Sequence, residues 1–512
     1  MCTKISLILT GSTLEEDLKM FAHYQQTYPS VQMLELRVDH LNHNEVFQVY
    51  KFPSLVNLPV ILTIRRKSDG GEFYSGEYSR LLTFFHCLNA DALTSTLSSA
   101  KTFEYIDLED DFHSPELEEV CESLNIKIIR SHHSINTPIQ DYDTVLKSLR
   151  LQKHDIIKIA SYSSSLKDTQ KLFEVSKTLE HEDHVLISLG KYGLPSRILA
   201  SRLGSKWVYT LTANSKTEKM CEDKMLTPED LVHDTYNFHN IHKDSQLFGI
   251  IGSSVNNSLS LAFHNQFFAK HNMDYAYIPL SAKTIEEALE ISQYLGIKGL
   301  SVTAPFKIQA MQYANKIDES ARATGSCNTL TFFGESFYED VKAYNTDILG
   351  FEKALQFFLK QELTPSLRIS VLGAGGVARA VCYVLHKLDL KEVVIFNRTH
   401  AKACQLAGQF NFDSCVLDAS AIQTLREHSQ LIINATSVGG LSLPDDDVLP
   451  FYRFIGNEKV FDLAYRSSTR ACLETPLIEK AKHHGCATEN AYAMFHHQAM
   501  EQIKIFYQHP CR

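Results

Sequence analysis

Eight short apolar runs with β-branched content recur over about the first 240 residues, each separated from the next by a helix-length amphipathic stretch. They are Ile5 to Leu9, Met33 to Leu36, Val60 to Ile64, Tyr105 to Leu108, Ile126 to Ile129, Ile156 to Ile159, Val185 to Leu189 and Trp207 to Leu211. Strands alternating with helices imply parallel pairing, and eight such units are the schedule of a (β/α)₈ barrel. A doubly wound open sheet is the competing arrangement. The placement of polar residues favours the barrel: Glu35 and Arg37 end the second run, Arg65 ends the third, and His132 and His133 follow the fifth. Lys158 lies inside the sixth run, and Arg197 follows the seventh. The C-terminal ends of barrel strands converge on one mouth, so these ionisable groups would face a common pocket.

With 512 residues the chain is too long for one core, and further domains must follow the barrel. A net charge of -10 without a Lys/Arg-rich run leaves no electrostatic footprint for nucleic acid. The 11 cysteines are scattered, with neither C-x-x-C nor Cys/His spacing, which points to reduced thiols and no metal site. No run approaches the roughly 18 apolar residues of a membrane span, and the apolar N-terminal stretch is shorter than a signal segment. A soluble, cytoplasmic protein acting on small molecules is expected.

A lysine flanked by Ile157 and Ile159 is costly unless it has a chemical task. Desolvation alone would lower its pKa and make it an imine-forming nucleophile. The iminium formed with a ketone is an electron sink, and a nearby histidine can remove the adjacent proton and return it to a leaving hydroxide. Schiff-base elimination and aldol cleavage both fit. The arginines would grip a substrate carboxylate, and Glu35 would orient the histidine or hold the imine.

These residues resemble type I 3-dehydroquinate dehydratase. The likeness runs through ELRVDH (Glu35 to His40), TIRRKSDGG (Thr63 to Gly71), SHHS (Ser131 to Ser134), KIA (Lys158 to Ala160) and GLPSR (Gly193 to Arg197). It implies that Lys158 is the imine lysine and His133 the general acid/base. Glu35, Arg37, Arg65, Asp69 and Arg197 would bind or orient substrate. Asp69 stands where the family has Glu, and the segment from Thr212 to Leu231 lacks the family's Ser-Ala-Pro-Gly-Gln lid, leaving Ser215 or Lys216 to close the site.

A polar stretch, Asn237 to Gln246, reads as a linker. Beyond it, strand Ile369 to Leu372 runs into Gly373-Ala374-Gly375-Gly376-Val377-Ala378 and then an apolar helix, a turn that lets backbone approach a pyrophosphate. The pattern is GxGGxxR rather than GxGxxG. At the end of the next strand, where an NAD-binding fold places an acid, stand Asn397, Arg398 and Thr399, with Lys402 nearby. Arginine there neutralises a 2′-phosphate, so NADP(H) is the expected cofactor. The region from 247 to about 345 should hold the substrate. Ser258 and Ser260 open a helix, Thr303 and Lys307 flank a proline, Asn328 follows a turn, and Asn345 and Asp347 precede a helix. Ketone reduction needs a proton donor, and a Lys307/Asp347 pair supplies one.

This half resembles shikimate dehydrogenase over nearly its whole length: SLSLAFHN, SVTAPFK, GSCNTL, YNTDILG, GAGGVARA, NRT, NATSVGG, FDLAY and MFHHQ fall in the family's order. Leu261, Ser301 and Ala491 depart from it. The resemblance implies Lys307 and Asp347 as the catalytic pair. It implies Ser258, Ser260, Thr303, Asn328, Asn345, Tyr465 and Gln498 at the substrate, and residues 373–378 and 397–399 at NADP. Expected domains are a barrel over 1–238, a substrate domain over 247–347 completed by 485–512, and a Rossmann-like domain over 348–484. Dehydratase followed by dehydrogenase resembles the fused enzymes of aromatic amino-acid biosynthesis. Other readings are an aldolase joined to a quinate dehydrogenase, and a sensor that keeps these folds with a weak or inactive dehydratase.

Overall fold

The computed structural model describes residues 3–88, 101–149, 151, 152, 154–212, 226–334, 337, 339–440, 443–468 and 471–507. They fall into two compact units, Met1–Gln246 with Asn265–Tyr294, and Leu247–His264 with Leu295–Arg512. Among the described residues no helix is long and apolar enough to cross a membrane.

The expected barrel is present. Its strands are β1 (Lys4–Leu9), β2 (Met33–Arg37), β3 (Val60–Thr63), β4 (Tyr105–Glu109), β5 (Lys127–Ser134), β6 (Ile156–Tyr162), β7 (His184–Leu189) and β8 (Trp207–Thr210). They run in the order β7-β6-β5-β4-β3-β2-β1-β8, every pair parallel. The seam between β7 and β8 is closed by the Lys206 N–H, which donates to the His184 carbonyl at 2.9 Å, and by Ser205 Oγ, which accepts from Leu186 N at 3.0 Å.

The pleat decides what enters the barrel. Side chains of one face recur every second residue, and one core cluster joins Ile8, Met33, Ile61, Tyr105, Ile129, Ile156, Ala160, Val185, Trp207 and Tyr209. By the same parity Glu35 and Arg37 share the face of Met33, Asp107 and Glu109 that of Tyr105, Ser131 and His133 that of Ile129, and Lys158 that of Ile156 and Ala160. An apolar floor of Met33, Ile61, Tyr105, Ile156 and Trp207 therefore carries an ionised layer toward the C-terminal ends of the strands.

The second half holds two six-stranded sheets. In the first, β9 (Gln246–Gly252), β10 (Tyr275–Ser281), β11 (Gly299–Val302), β12 (Lys316–Ile317), β13 (Thr329–Phe332) and β14 (Val341–Tyr344) are ordered β10-β9-β11-β13-β14-β12, with β13 antiparallel to both neighbours. In the second, β15 (Ile369–Leu372), β16 (Val393–Asn397), β17 (Asp413–Val416), β18 (Leu431–Asn434), β19 (Lys459–Asp462) and a last strand, Ala487–Glu489, form an all-parallel sheet. Strand β15 lies between β16 and β18, so chain order reverses there and opens the crevice at which such folds bind ligands. Helices Asp347–Leu359 and Gly376–Lys387 bury Phe351, Leu355, Val381 and Leu385 against this sheet.

Candidate active sites

Lys158 is 4 % exposed, and its Nζ donates to Asp107 Oδ2 at 2.7 Å, with Glu35 Oε1 at 3.7 Å and the Tyr209 ring centroid at 4.5 Å. Asp107 also pairs with Arg65 at 2.7 Å and accepts from Ser131 Oγ at 2.6 Å. Arg65 continues to Glu109 at 2.7 Å, and Glu109 to the fully buried Arg80 at 2.6 Å. The result is a buried alternation of Lys158, Asp107, Arg65, Glu109 and Arg80, with Glu35 held by the Thr63 hydroxyl at 2.8 Å. Charges taken out of water persist only when balanced by close partners. Here three cations meet three carboxylates.

This balance corrects the expected protonation of the lysine. Desolvation does oppose its charge, but Asp107 and then Glu35 outweigh it, and the Lys158 pKa is raised, so the resting site holds an ammonium. The sequence reading counted burial without the carboxylate supplied by β4. Asp107 itself resists burial because Arg65 and Lys158 hold its carboxyl well below the usual carboxylate range.

The two adjacent histidines point to different partners. His132 Nδ1 lies 2.9 Å from Asp110 Oδ2, which also accepts from Ser148. His133 shares the inward face, with Nδ1 3.4 Å from Arg65 Nη1. Burial, with the charges of Arg65 and Lys158, holds His133 well below the usual imidazole pKa, so it is neutral and can accept a proton. Arg37 is clasped by Asp39 through bonds of 2.9 and 2.7 Å. Asp69 is turned to Arg66 at 2.7 Å and is not part of the Lys158 network. Arg197 is buried on the short helix Leu194–Ile198 that follows β7. Ser215 and Lys216, the residues expected to close the site, lie outside the described residues.

The second cluster forms where β11, β13 and two helices meet. Lys307 Nζ donates to Asp347 Oδ2 at 2.6 Å. Asp347 is the first residue of helix Asp347–Leu359, where a carboxylate is favoured by the exposed N–H groups. Its other oxygen accepts from Asn328 Nδ2 at 2.9 Å, and the same amide reaches Thr346 Oγ1 at 2.8 Å and Gln498 Oε1 at 3.3 Å. Gln502, one turn beyond Gln498, donates to the Asn328 carbonyl at 3.1 Å and accepts from Ser301 at 3.0 Å. Sequence reasoning missed Gln502, although its spacing from Gln498 places both on one helix face. Ser258 and Ser260 are buried at the start of helix Leu259–Lys270, and the hydroxyl of the half-buried Tyr465 bonds Ser258. The Thr303 methyl packs against Gly252. Asn345 is directed elsewhere: its amide ties Thr324 Oγ1 at 2.9 Å and the Ser326 carbonyl at 3.1 Å, making it a brace for the turn before Asn328.

At the glycine turn, Gly373 has φ +108°, and a Cβ there would meet the Ala435 carbonyl at 3.0 Å. Around Gly375 a Cβ would meet nothing within 4 Å, leaving open space before the helix that starts at Gly376. A Cβ on Gly376 would lie 3.1 Å from Lys307 Cδ, so this turn abuts the lysine that pairs with Asp347. Ala374 and Val377 are half-buried and Ala378 is buried. Asn397 bonds the Thr399 carbonyl at 2.9 Å, while Arg398 and Thr399 are exposed at the end of β16. Among the described residues no set of three or more His, Cys, Asp or Glu side chains is arranged to hold a metal ion.

Three family models match in succession: type I 3-dehydroquinase over residues 5–221, shikimate dehydrogenase substrate binding domain over 250–330, and shikimate/quinate 5-dehydrogenase over 359–464. A bifunctional 3-dehydroquinate dehydratase/shikimate dehydrogenase of Arabidopsis thaliana, chloroplastic by name, is 28% identical over 500 residues, covering 93% of this chain and 77% of that protein. A shikimate dehydrogenase (NADP(+)) of Maridesulfovibrio salexigens is 34% identical over 270 residues, covering 52% of this chain and 93% of that protein. One from Aquifex aeolicus is 32% identical over 268 residues, covering 52% and 93%. With the Lys158 site in a nearly closed barrel and the Lys307/Asp347 pair beside a dinucleotide turn, the chain belongs to the shikimate dehydrogenase family and carries a type I 3-dehydroquinase ahead of it, a bifunctional 3-dehydroquinate dehydratase/shikimate dehydrogenase.

Proposed function

We propose that Lys158 and His133 carry the dehydration and Lys307 and Asp347 the reduction, with NADPH as hydride donor. The observation that carries the first assignment is charge conservation at Lys158. An ammonium and a ketone combine to give an iminium and water, so one cation replaces another within reach of Asp107 and Glu35. The network that favours the protonated lysine therefore also favours the iminium; for the attack itself neutral His133 takes one proton from Lys158, freeing its lone pair, and returns that proton to the oxygen that leaves as water. Neutral His133 then removes the proton next to the iminium carbon and delivers it to the departing hydroxide. Water finally releases the product from Lys158. Arg37, Arg65 and Arg197 supply the cationic lining for the substrate carboxylate and hydroxyls, Glu35 orients the imine, and Asp69 acts through Arg66.

In the second site, Lys307 donates a proton to the alkoxide that forms at the ketone carbon, and Asp347, fixed by Asn328, holds the lysine in place. Ser258, Ser260, Thr303, Asn328, Tyr465 and Gln498 bind the ring's carboxylate and hydroxyls, with Asn345 bracing Asn328. The left-handed Gly373 turn, the open space over Gly375 and the exposed Arg398 with no acid beside it fit a 2′-phosphorylated dinucleotide. When bound, that cofactor supplies the hydride. Residues 373–378 would face its pyrophosphate, and Asn397, Arg398 and Thr399 its 2′-phosphate.

The working boundaries are 1–238 for the dehydratase, 247–347 with 485–512 for the substrate domain, and 348–484 for the nucleotide domain. The seven described free cysteines support work in the reducing cytoplasm, and the net acidic charge supports small anionic metabolites over nucleic acid as partners. The test is NADPH oxidation by the purified chain given 3-dehydroquinate or 3-dehydroshikimate, with quinate and NADP+ in a parallel reverse assay. Consumption with both forward substrates is expected. Silence with both would overturn the catalytic assignments, and faster turnover of quinate than of shikimate would overturn the substrate preference.

A further inference from the structure

Helix His400–Phe410 begins one residue after Arg398-Thr399, and its outer face carries a group of nucleophilic side chains that neither reaction uses. Cys404 Sγ lies 3.4 Å from His400 Nε2, Ser414 Oγ donates to the sulfur at 3.3 Å, and Ser414 Oγ lies 3.5 Å from the same imidazole nitrogen. All three contacts close on one another. His400 and Cys404 are four residues apart on the helix, and Ser414 reaches them from β17. An imidazole within reach of a thiol proton, with a hydroxyl directed at the sulfur, is an arrangement in which the imidazole can take the proton as the sulfur attacks.

The other described thiols lack this combination. Cys87, Cys121, Cys327, Cys382 and Cys486 are buried, and burial pushes their thiols up, to about 12 for Cys121 and Cys327 and about 11 for Cys486. Cys415 is half-buried, and Cys404 is exposed.

We propose that Cys404, activated by His400 and Ser414, is a thiol-disulfide exchange site for small-molecule disulfides, and that its modification weakens NADPH binding by the adjacent Arg398 loop. The second clause rests on the cofactor assignment above. In the exchange, the Cys404 proton passes to His400 Nε2 and the thiolate attacks one sulfur of the disulfide. A new S–S bond forms as the old one breaks, and the departing thiolate takes the proton back from His400, so one disulfide is exchanged for another and one free thiol is released. An adduct such as a glutathionyl group, with two carboxylates and one ammonium, adds net negative charge five residues along the helix from Thr399, roughly 7.5 Å of rise from the loop that must accept a phosphate. Like charge there opposes the 2′-phosphate.

The experiment treats the full chain with glutathione disulfide, quantifies adducts on each cysteine-bearing peptide by mass spectrometry, and then assays both activities. The adduct at Cys404 should form about tenfold faster than at any of the five buried cysteines, and about fivefold slower in His400→Gln. After modification the KM for NADPH should rise several-fold, return with dithiothreitol and stay unchanged in Cys404→Ser, while dehydratase turnover in the same sample is unaffected. Equal labelling of the buried thiols, or an unaltered rate in His400→Gln, overturns the exchange site. An unchanged NADPH KM in fully labelled protein overturns the coupling to the cofactor. Because labelling is read by mass, it stands or falls independently of whether NADPH is the reductant.

Discussion

Lys158 donates to Asp107 at 2.7 Å inside the barrel, and the same carboxylate is shared with Arg65 at 2.7 Å. Replacing Asp107 by Asn removes one negative charge from a buried set of three and leaves Arg65 and Lys158 facing each other. The dehydratase kcat/KM of Asp107→Asn should fall by at least about 100-fold. Dehydrogenase turnover on 3-dehydroshikimate in the same preparation should be unchanged, which separates loss of chemistry from loss of folding. Retention of most dehydratase activity would show that the cation at position 158 does not depend on this carboxylate.

His133 is held well below the ordinary imidazole pKa by burial and by the charges of Arg65 and Lys158. A general base that stays neutral as pH falls keeps its function, so dehydratase kcat/KM should remain flat as pH drops through 6.5 and decline only below it. His133→Gln should lose at least about 100-fold in kcat, while His132→Gln, whose partner is Asp110, should lose under about threefold. An acid limb centred at or above the normal imidazole value would contradict the assignment.

Much of this site is visible in the linear sequence once strand parity is applied. Lys158 stands out as a lysine among isoleucines, and His133 is separated from His132 by sharing the parity of Ile129 and Ser131. Asp107 carries the same signal, alternating with Tyr105 and Glu109 between the buried Ile106 and Leu108, yet it was missed because it sits in an acidic stretch that reads as surface. The protonation of Lys158 was not legible, because a lysine's pKa depends on which carboxylate the barrel brings to it. Asn345 shows the converse: its place beside Asp347 suggests a ligand, but the turn at Thr324 to Ser326 claims its amide.

Asp347→Asn tests the other centre. With the carboxylate gone, Lys307 loses its 2.6 Å partner and Asn328 faces an amide instead of an anion. The kcat for 3-dehydroshikimate reduction should drop about 100-fold or more while dehydration of 3-dehydroquinate continues at the normal rate. Accumulation of 3-dehydroshikimate from 3-dehydroquinate, followed by its ultraviolet absorbance, is the direct readout.

The proposed assignment makes Arg398 the residue that selects the cofactor. Arg398→Ala removes a charge-assisted contact to the 2′-phosphate worth about 2 kcal/mol, so the KM for NADPH should rise roughly 30-fold. The KM for NADH should move by less than about threefold. Equal losses for both cofactors would mean that the arginine supports the loop and does not read the phosphate.

Asp17 governs a stability effect at the barrel mouth. It is fully buried, its Oδ1 accepts from the Gly11 N–H at 2.8 Å, its Oδ2 has no hydrogen-bond partner among the described residues, and burial raises it to about 7. The folded protein thus keeps a proton that the unfolded chain releases near the ordinary carboxylate value. Between those limits the folded state binds more protons, so stability is greatest on the acid side and falls as pH rises through about 7, by on the order of a few kcal/mol. Asp17→Asn should abolish this slope. The thermal midpoint of the variant should exceed that of wild type by roughly 3 °C or more at pH 8, and this excess should shrink steadily as pH is lowered toward 4. An equal shift at both pH values would assign the effect to packing.

The 3.1 Å separation that a Cβ on Gly376 would have from Lys307 Cδ places two selective pressures on one position. A nucleotide turn tolerates no bulk where it meets a phosphate, and here the same absence of bulk also leaves the lysine's stem its path along the turn. A side chain at position 376 would press on the stem of Lys307 as well as crowd the turn, so under the proposed roles this glycine answers to the lysine's alignment and to the cofactor at once.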